Sequence, residues 1–283
     1  MEFRWRSMAA VCAQFEVASV AEMNLEQAEE LLDMFAEGKS LDSVNTSLAL
    51  HLVELARELG RDALVGRLLT HAAQTAANEE DSGWCQFEVL KHNGAELDVI
   101  IGLGVSAEND GLPGLAAGIF HHVALANLGT PDAGVFANKS MRLREEHDDK
   151  DGMIYGHALI AHIAKSENDW EKSQLHLRKR IDLIGDEDRG ALMEAYADLA
   201  HSHASLGELD QAQALLIDSL GIATELADLS GILVARWGLA DLAEISDQPD
   251  EAMVQLSEIM TTFMEAGVIV PEPVKERVNK LTE

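Results

Sequence analysis

The sequence has few aromatic residues, prolines and cysteines. Of its 283 residues only 5% are aromatic, 5 are proline and 2 are cysteine. Cys12 and Cys85 are too few for a disulfide framework and show no zinc-binding spacing. β-branched residues are scattered without long alternating runs, so strands are not expected. Alanine and leucine dominate instead, which is typical of an all-helical, well-packed protein.

Basic residues are also scarce. The chain has 21 lysines and arginines against 50 aspartates and glutamates, a formal net charge of −29. We find no basic stripe, so binding to nucleic acid or to an anionic membrane surface is disfavoured by repulsion. Two interpretations of the acidic surplus stay open: solubility, as in a salty environment, or attraction of a basic partner.

Long hydrophobic runs are missing as well. No run of 18 apolar residues exists, so no membrane span is expected. The first residues, MEFRWRSMAAVCAQFEVASV, lack a clean apolar core with a cleavage site, since Glu16 interrupts them. With two reduced thiols, a cytoplasmic location is the expectation.

What the sequence does contain is a recurring helical hairpin. In HASLGELDQAQALLIDSL, Gly207 stands where the chain must reverse, and Ala212 follows five residues later. The same arrangement of a helix breaker and, five residues on, the start of a new apolar helix recurs along the chain. The further pairs are Met23 and Ala28, Gly60 and Val65, Gly94 and Val99, Gly129 and Gly134, Asn168 and Ser173, and Asp247 and Ala252.

The second member of each pair is predicted to anchor the second helix of a hairpin. Successive anchors are 37, 34, 35, 39, 39 and 40 residues apart. Twelve residues before each anchor stands a residue of the first helix, where small side chains let two antiparallel helices approach closely. These residues are Glu16, Val53, Phe87, His122, Ala161, Ala200 and Ala240.

The segment YADLAHSHASLGELDQAQALLIDSLGIA resembles a tetratricopeptide repeat (TPR). The residues that carry the likeness are Tyr196, Leu199, Ala200, Gly207, Ala212 and Leu216. Repeats of about 40 residues in the C-terminal half are similar to the longer variants of this family. The resemblance implies an all-α, right-handed superhelical solenoid of about seven hairpins, in which each hairpin buries its apolar face against its neighbours.

The predicted solenoid covers residues 1–270, and a capping helix covers 271–283. Approximate units are 3–38, 42–78, 79–110, 114–147, 152–186, 190–228 and 231–267. In the capping helix, Val274, Val278 and Leu281 form an apolar stripe, with Lys275, Arg277 and Lys280 predicted to lie off it. A solvated cap is the favoured interpretation, and a basic docking tail is the alternative.

No catalytic residue, metal site or cofactor is predicted. The glycines of LDVIIGLGVSAEN, Gly102 and Gly104, imitate a dinucleotide-binding fingerprint, but that motif needs a strand before it and a helix after it. Here a helical pattern precedes the glycines, so we expect a frayed helix end. His157 and His162 are badly spaced for chelation, and neither His-Glu-x-x-His nor Gly-x-Ser-x-Gly occurs.

The resemblance implies that the first helices line a concave groove. The candidate site is the set of first-helix side chains expected to face or border it: Arg57, Trp84, Glu88, Lys91, Ile119, Val123, Asn127, Tyr155, His162, Lys165, Glu194, Asp198, His201, Trp237 and Asp241. The tryptophans suit the anchoring of a peptide. Neighbouring carboxylates are expected to favour charged His162 and His201, which makes binding depend on pH between about 5.5 and 7.5.

The expected function is non-catalytic: a scaffold or adaptor that binds a peptide or helix, basic or of mixed charge, in the groove. The main alternative is a regulatory or sensory TPR protein that binds a signalling peptide or small ligand and changes superhelical shape. Two further hypotheses are a hydrated concave wall without a ligand and an enzyme built on the histidine and carboxylate patch. Glutamates and histidines replace the asparagines of TPR proteins that hold a peptide's C-terminal carboxylate, which disfavours that activity.

The sequence leaves open whether two copies of the chain associate. An apolar surface at the N-terminal end could pair two copies of the chain. The residues that suggest a homodimer are Phe3, Trp5, Phe15 and Val20.

Overall fold

A computed structural model describes residues 25–186 and 188–282. The N-terminal residues proposed to pair two copies, and Glu16 and Met23, lie outside this part. The described chain forms helices α1 to α14, and no strand occurs in these two stretches. In chain order they are Leu25–Ala36, Thr46–Glu58, Asp62–Thr75, Glu79–His92, Leu97–Asn109, Pro113–Ala126, Pro131–Glu146, Lys150–Ser166, Trp170–Ile184, Arg189–Ser205, Leu209–Glu225, Leu229–Ile245, Pro249–Glu265 and Glu272–Thr282.

Successive helices pair as antiparallel hairpins. They divide into two compact units, Met1–Gly156 and His157–Glu283. The described part of the first unit contains the hairpins α2–α3, α4–α5 and α6–α7, and the second unit contains α10–α11 and α12–α13. Each unit has the helical-repeat architecture expected of an all-α solenoid protein. The exact borders of the repeats stay a prediction.

The turn at Gly207 shows how the chain reverses. Gly207 has φ +77°, in the left-handed region where a side chain is strained and glycine is not. Its N–H donates to the carbonyl of Ala204 at 3.0 Å, and the N–H of Glu208 donates to the carbonyl of His203 at 3.0 Å. These two bonds make a Schellman motif, which satisfies carbonyls that the helix end leaves free.

The other predicted breakers act in the same way. All of those within the described residues have positive φ: Gly60, Gly94, Gly129, Asn168, Gly207 and Asp247. Asparagine and aspartate tolerate this conformation better than other non-glycine residues. The prediction that these positions end a first helix is therefore confirmed.

Most predicted anchors lie between packed helices. Ala28, Val65, Ser173, Ala212 and Ala252 are buried. The alanines and the serine among them are small enough to let neighbouring helices approach closely.

Two details of the third predicted unit were wrong. Val99 is exposed, and Ile100, the next residue, is buried in its place. The glycines that follow do not fray the helix, because α5 continues to Asn109. A β-carbon at Gly104 would lie 2.9 Å from the side chain of Ile119, so this glycine brings α5 close to α6.

The apolar cores follow from the hairpin packing. In the first unit the core includes Leu32, Leu52, Leu68 and Phe120, all fully buried. In the second unit the C-terminal core contains Leu256 and Ile259, against which α14 packs through Val274, Val278 and Leu281. Helix α14 therefore caps the last hairpin, as the apolar stripe predicted.

Candidate functional site

In the first unit, the predicted cations of the site are already paired. The Arg57 guanidinium donates to Glu88 at 2.5 Å and to Glu54 at 3.1 Å. The Lys91 ammonium donates to the same carboxylates, at 2.7 Å to Glu88 and 3.0 Å to Glu54. Two positive and two negative charges form a closed, neutral cluster, so Arg57, Lys91 and Glu88 stabilise the contact between α2 and α4.

Electrostatics support this structural role. Burial alone would lower the pKa of Lys91, but Glu88 and Glu54 outweigh it and raise that pKa. Burial would raise the pKa of Glu54, but Lys91 and Arg57 lower it. Both shifts hold the cluster in its charged form near neutral pH.

The three apolar groove residues predicted in the first unit were placed wrongly. Trp84 is 5% exposed, and Ile119 and Val123 are fully buried. A β-carbon on Gly118 would lie 2.3 Å from the Trp84 ring, so the indole occupies the space that this glycine leaves. The indole also meets Phe87 edge-on at 6.0 Å between ring centroids. These residues form the core between α4 and α6 and do not face a ligand.

Asn127 and Tyr155 are the remaining predicted residues of this unit. Asn127 ends α6, and its amide donates to the carbonyl of Val123 at 2.8 Å, so it caps its own helix. Tyr155 is half-buried in α8.

In the second unit, the structure brings a mixed-charge group of predicted residues together. The Lys165 ammonium of α8 donates to Asp198 of α10 at 3.1 Å. Asp198 also lies 3.7 Å from the guanidinium of Arg180, which reaches Glu194 at 3.3 Å. Arg180 belongs to α9 and is 4% exposed, so the two carboxylates pair with a buried cation.

The two histidines of the site lie at the protein surface. Both His162 and His201 are exposed, and the His201 ring meets Trp170 edge-on at 5.6 Å between centroids. Partial burial and then the charge of Lys165 lower the pKa of His201, outweighing Asp198 and Asp241. The expectation that carboxylates favour the charged form of this histidine was therefore wrong.

At the C-terminal end, an arginine of α14 contacts two predicted site residues and a neighbouring glutamate. The Arg277 guanidinium lies 2.8 Å from Asp241 and 2.8 Å from Glu244. Its carbon atom is 4.5 Å from the centroid of the Trp237 ring, a cation–π contact. Burial raises the pKa of Asp241, and Arg277 opposes that shift.

The structure therefore corrects the prediction that Arg277 lies off the apolar stripe of α14. It follows Val274 by three residues and precedes Leu281 by four, so the helical period places it on the same face. The spacing of Arg277 from Val274 and Leu281 in the sequence was therefore enough to predict its place on this face. Arg180 and Trp170 were not predicted either, because both belong to a second helix and the repeat pattern points only to first helices.

Within residues 25–186 and 188–282, no group of three or more histidine, cysteine, aspartate or glutamate side chains is placed to hold a metal ion. None of the described helices is both long and apolar enough to span a membrane.

Comparisons with known proteins identify the fold. No family model matches the chain, and no curated protein matches it in sequence. Among solved structures, the apo form of RapI is similar with a TM-score of 0.61 at 12% identity, covering 93% of this chain and 75% of that one. The C-terminal part of a TPR repeat-containing protein from Cytophaga hutchinsonii has a TM-score of 0.55 at 11% identity, covering 89% of this chain and 93% of that one.

A third solved structure is similar over much of its length. It is a Rap protein complexed with competence and sporulation factor, with a TM-score of 0.50 at 14% identity, covering 93% of this chain and 75% of that one. At such identities the likeness concerns the fold. Together with the helical hairpins and their turns, it shows that the chain has a TPR-like helical-repeat fold.

Proposed function

We propose that the chain is a non-catalytic interaction scaffold whose second unit binds a peptide segment of another protein. The binding surface is the first-helix face of the second unit, defined as His162, Lys165, Asp198, His201, Trp237, Asp241 and Glu244. The expected ligand is a segment that is basic or of mixed charge and that contains arginine.

The observation that carries this proposal is the way in which Arg277 is held. An indole face and two carboxylates, from Trp237, Asp241 and Glu244, surround one guanidinium. Carboxylates match the planar donor array of arginine, and an aromatic face attracts its cation. This part of the face thus has the chemistry that recognises an arginine side chain, here supplied by α14.

The rest of the face supports a mixed-charge ligand. Lys165 and Asp198 form a partly exposed pair that can exchange partners with a ligand's own charges. Exposed His162 and His201 add hydrogen-bonding groups and ring surface. The chain's net charge of −29 would steer a basic segment toward the protein and raise the association rate at low salt.

A regulatory or sensory protein is the second candidate. The similar Rap protein is complexed with competence and sporulation factor, and that is a property of that protein. In this chain the supporting observation is α14 itself, since displacement of Arg277 by a ligand would disturb the last hairpin. A ligand-dependent change in helix packing distinguishes this candidate from a passive scaffold.

The test uses fluorescein-labelled peptides with the full chain. We compare a probe with two arginines and one serine, the same probe with both arginines replaced by citrulline, and one with both replaced by glutamate. Fluorescence anisotropy should show tightest binding to the arginine probe. His162→Ala combined with His201→Ala should weaken that binding by about 3- to 30-fold, the effect of one or two moderate contacts.

A matched control is His147→Ala, which removes an exposed histidine of the first unit. It should leave the affinity unchanged. Equal binding of all three probes, or equal binding by the double variant, contradicts the proposal. Hydrolysis or other conversion of the probe contradicts the non-catalytic assignment, so the peptide mass is checked after incubation.

A further inference from the structure

In the first unit, α4 and α5 diverge although they form one hairpin. The two helices have few close backbone approaches, whereas α5 runs closely along α6. A β-carbon at Gly83 would lie 2.2 Å from the side chain of Leu115, so this glycine leaves room for that leucine of α6 to pack against α4. Gly118 likewise receives the Trp84 ring of α4, and Gly104 of α5 receives Ile119 and Phe120 of α6. Both α4 and α5 thus pack against side chains of α6, and the sparse contact between α4 and α5 leaves a gap between them.

This gap is a cleft of about 700 Å³ between the N-terminal half of α4 and the C-terminal half of α5. Its volume is within the range of sites that bind small molecules or short peptides. Leu103, Leu112 and Leu115 form an apolar floor, of which Leu115 is almost fully buried. Such a floor can receive one apolar side chain of a ligand.

The walls of the cleft are polar and acidic. Glu79 and Gln86 line it from α4, Ser106 lines it from α5, and Asp110 lines it from the residue that follows α5. Ser106 donates to Asp110 at 3.1 Å. No described residue lining the cleft is a lysine, an arginine or a histidine. The carboxylates therefore have no cationic neighbour in the lining, and an anionic ligand would be repelled.

We propose that this cleft is a second binding site, for a short basic peptide segment. One apolar side chain would pack on the three floor leucines. Lysine or arginine side chains next to it would pair with Glu79 and Asp110, and the Gln86 amide could bond to the peptide backbone. The site lies within the first unit, between α4, α5 and the start of α6, so it does not depend on the first-helix face of the second unit.

The probe is a fluorescein-labelled peptide, acetyl-Gly-Lys-Leu-Lys-Gly-amide, titrated with the full chain at low salt. Glu79→Gln combined with Asp110→Asn should weaken its binding by about 3- to 10-fold, as expected for two partly exposed ion pairs. Ser106→Trp places an indole at the wall and should abolish binding. Probes with glutamate for lysine, or serine for leucine, should bind more weakly.

Two control variants match the charge changes. Asp98→Asn removes a first-turn carboxylate from α5, as Glu79→Gln does from α4, and Glu145→Gln removes an exposed carboxylate from α7. Both should bind the probe as the unchanged chain does. His162→Ala with His201→Ala should also bind it normally, which separates this site from the proposed function.

The proposal is overturned if the Glu79 and Asp110 double variant retains full affinity, or if the glutamate probe binds as tightly as the lysine probe. It is also overturned if a folded Ser106→Trp chain still binds. Circular dichroism confirms helix content. If Ser106→Trp loses it, Ser82→Trp fills the cleft from α4 and must show the same loss of binding, since Ser82 also lines it.

Discussion

Replacement of Gly118 by alanine tests whether Trp84 belongs to the core. The added β-carbon would lie 2.3 Å from the nearest indole carbon and 3.2 Å from the next. Overpacking of this kind costs about 1–3 kcal/mol. Alanine in a helix interior contributes about 1 kcal/mol relative to glycine. The free energy of unfolding should therefore fall by about 0–2 kcal/mol.

The same substitution should have the opposite sign when Trp84 is phenylalanine. The smaller ring removes the clash, so Gly118→Ala should then stabilise the protein by up to about 1 kcal/mol through helix propensity alone. Urea unfolding followed by circular dichroism gives the four free energies of this cycle, with an expected coupling of about 1–3 kcal/mol.

The control is Gly102→Ala, since no heavy atom lies within 4 Å of a β-carbon built there. It should stabilise the chain equally in both backgrounds. If Gly118→Ala also has the same effect with tryptophan and with phenylalanine at position 84, the indole does not fill the glycine's space. The reasoning that removes Trp84 from the candidate site would then be refuted.

Two further predictions concern stability. Ala227 has φ +52°, so Ala227→Gly should raise the free energy of unfolding by up to about 1 kcal/mol, measured in urea; a loss of stability would contradict the strain. His157 accepts or donates a 2.9 Å bond to His176, and burial and then His176 lower its pKa from 6.5 to about 4. The unfolded chain therefore binds more protons between these values, and stability should fall as the pH falls from about 6.5 toward 4. His157→Gln should shift the acid-unfolding midpoint to lower pH, and an unchanged midpoint would contradict this assignment.

The architecture could be predicted because it depends on local signals that repeat. Gly207 and Asp247 end helices through backbone conformation, and Ala212 and Ala252 permit close packing through size. Neither effect needs a partner distant in sequence. The predicted helix anchor Val99 was one position away from the buried residue, Ile100. In an apolar run such as LDVII, the spacing alone does not select the residue that is buried.

The site was harder to predict because side-chain exposure depends on helix spacing. Trp84 and Ile119 stand at groove-facing positions of an ideal repeat, but the Trp84 ring packs into the space at Gly118 and Ile119 packs against Gly104, so both side chains are buried. A signal for the charge cluster was present: Glu54 and Arg57 recur as Glu88 and Lys91 after 34 residues. Equivalent positions of neighbouring hairpins lie side by side, so opposite charges there are expected to pair.

The central claim is that the first-helix face of the second unit recognises an arginine side chain, and Arg277→Gln tests it most directly. The substitution frees Asp241 and Glu244, and affinity for the two-arginine probe should rise by about 2- to 10-fold, the contribution of one or two partly exposed ion pairs. Lys280→Gln is the control, since it removes an exposed cation from the same helix. A rise for Arg277→Gln alone is the predicted result. Unchanged or weaker binding by a folded Arg277→Gln chain would contradict the account.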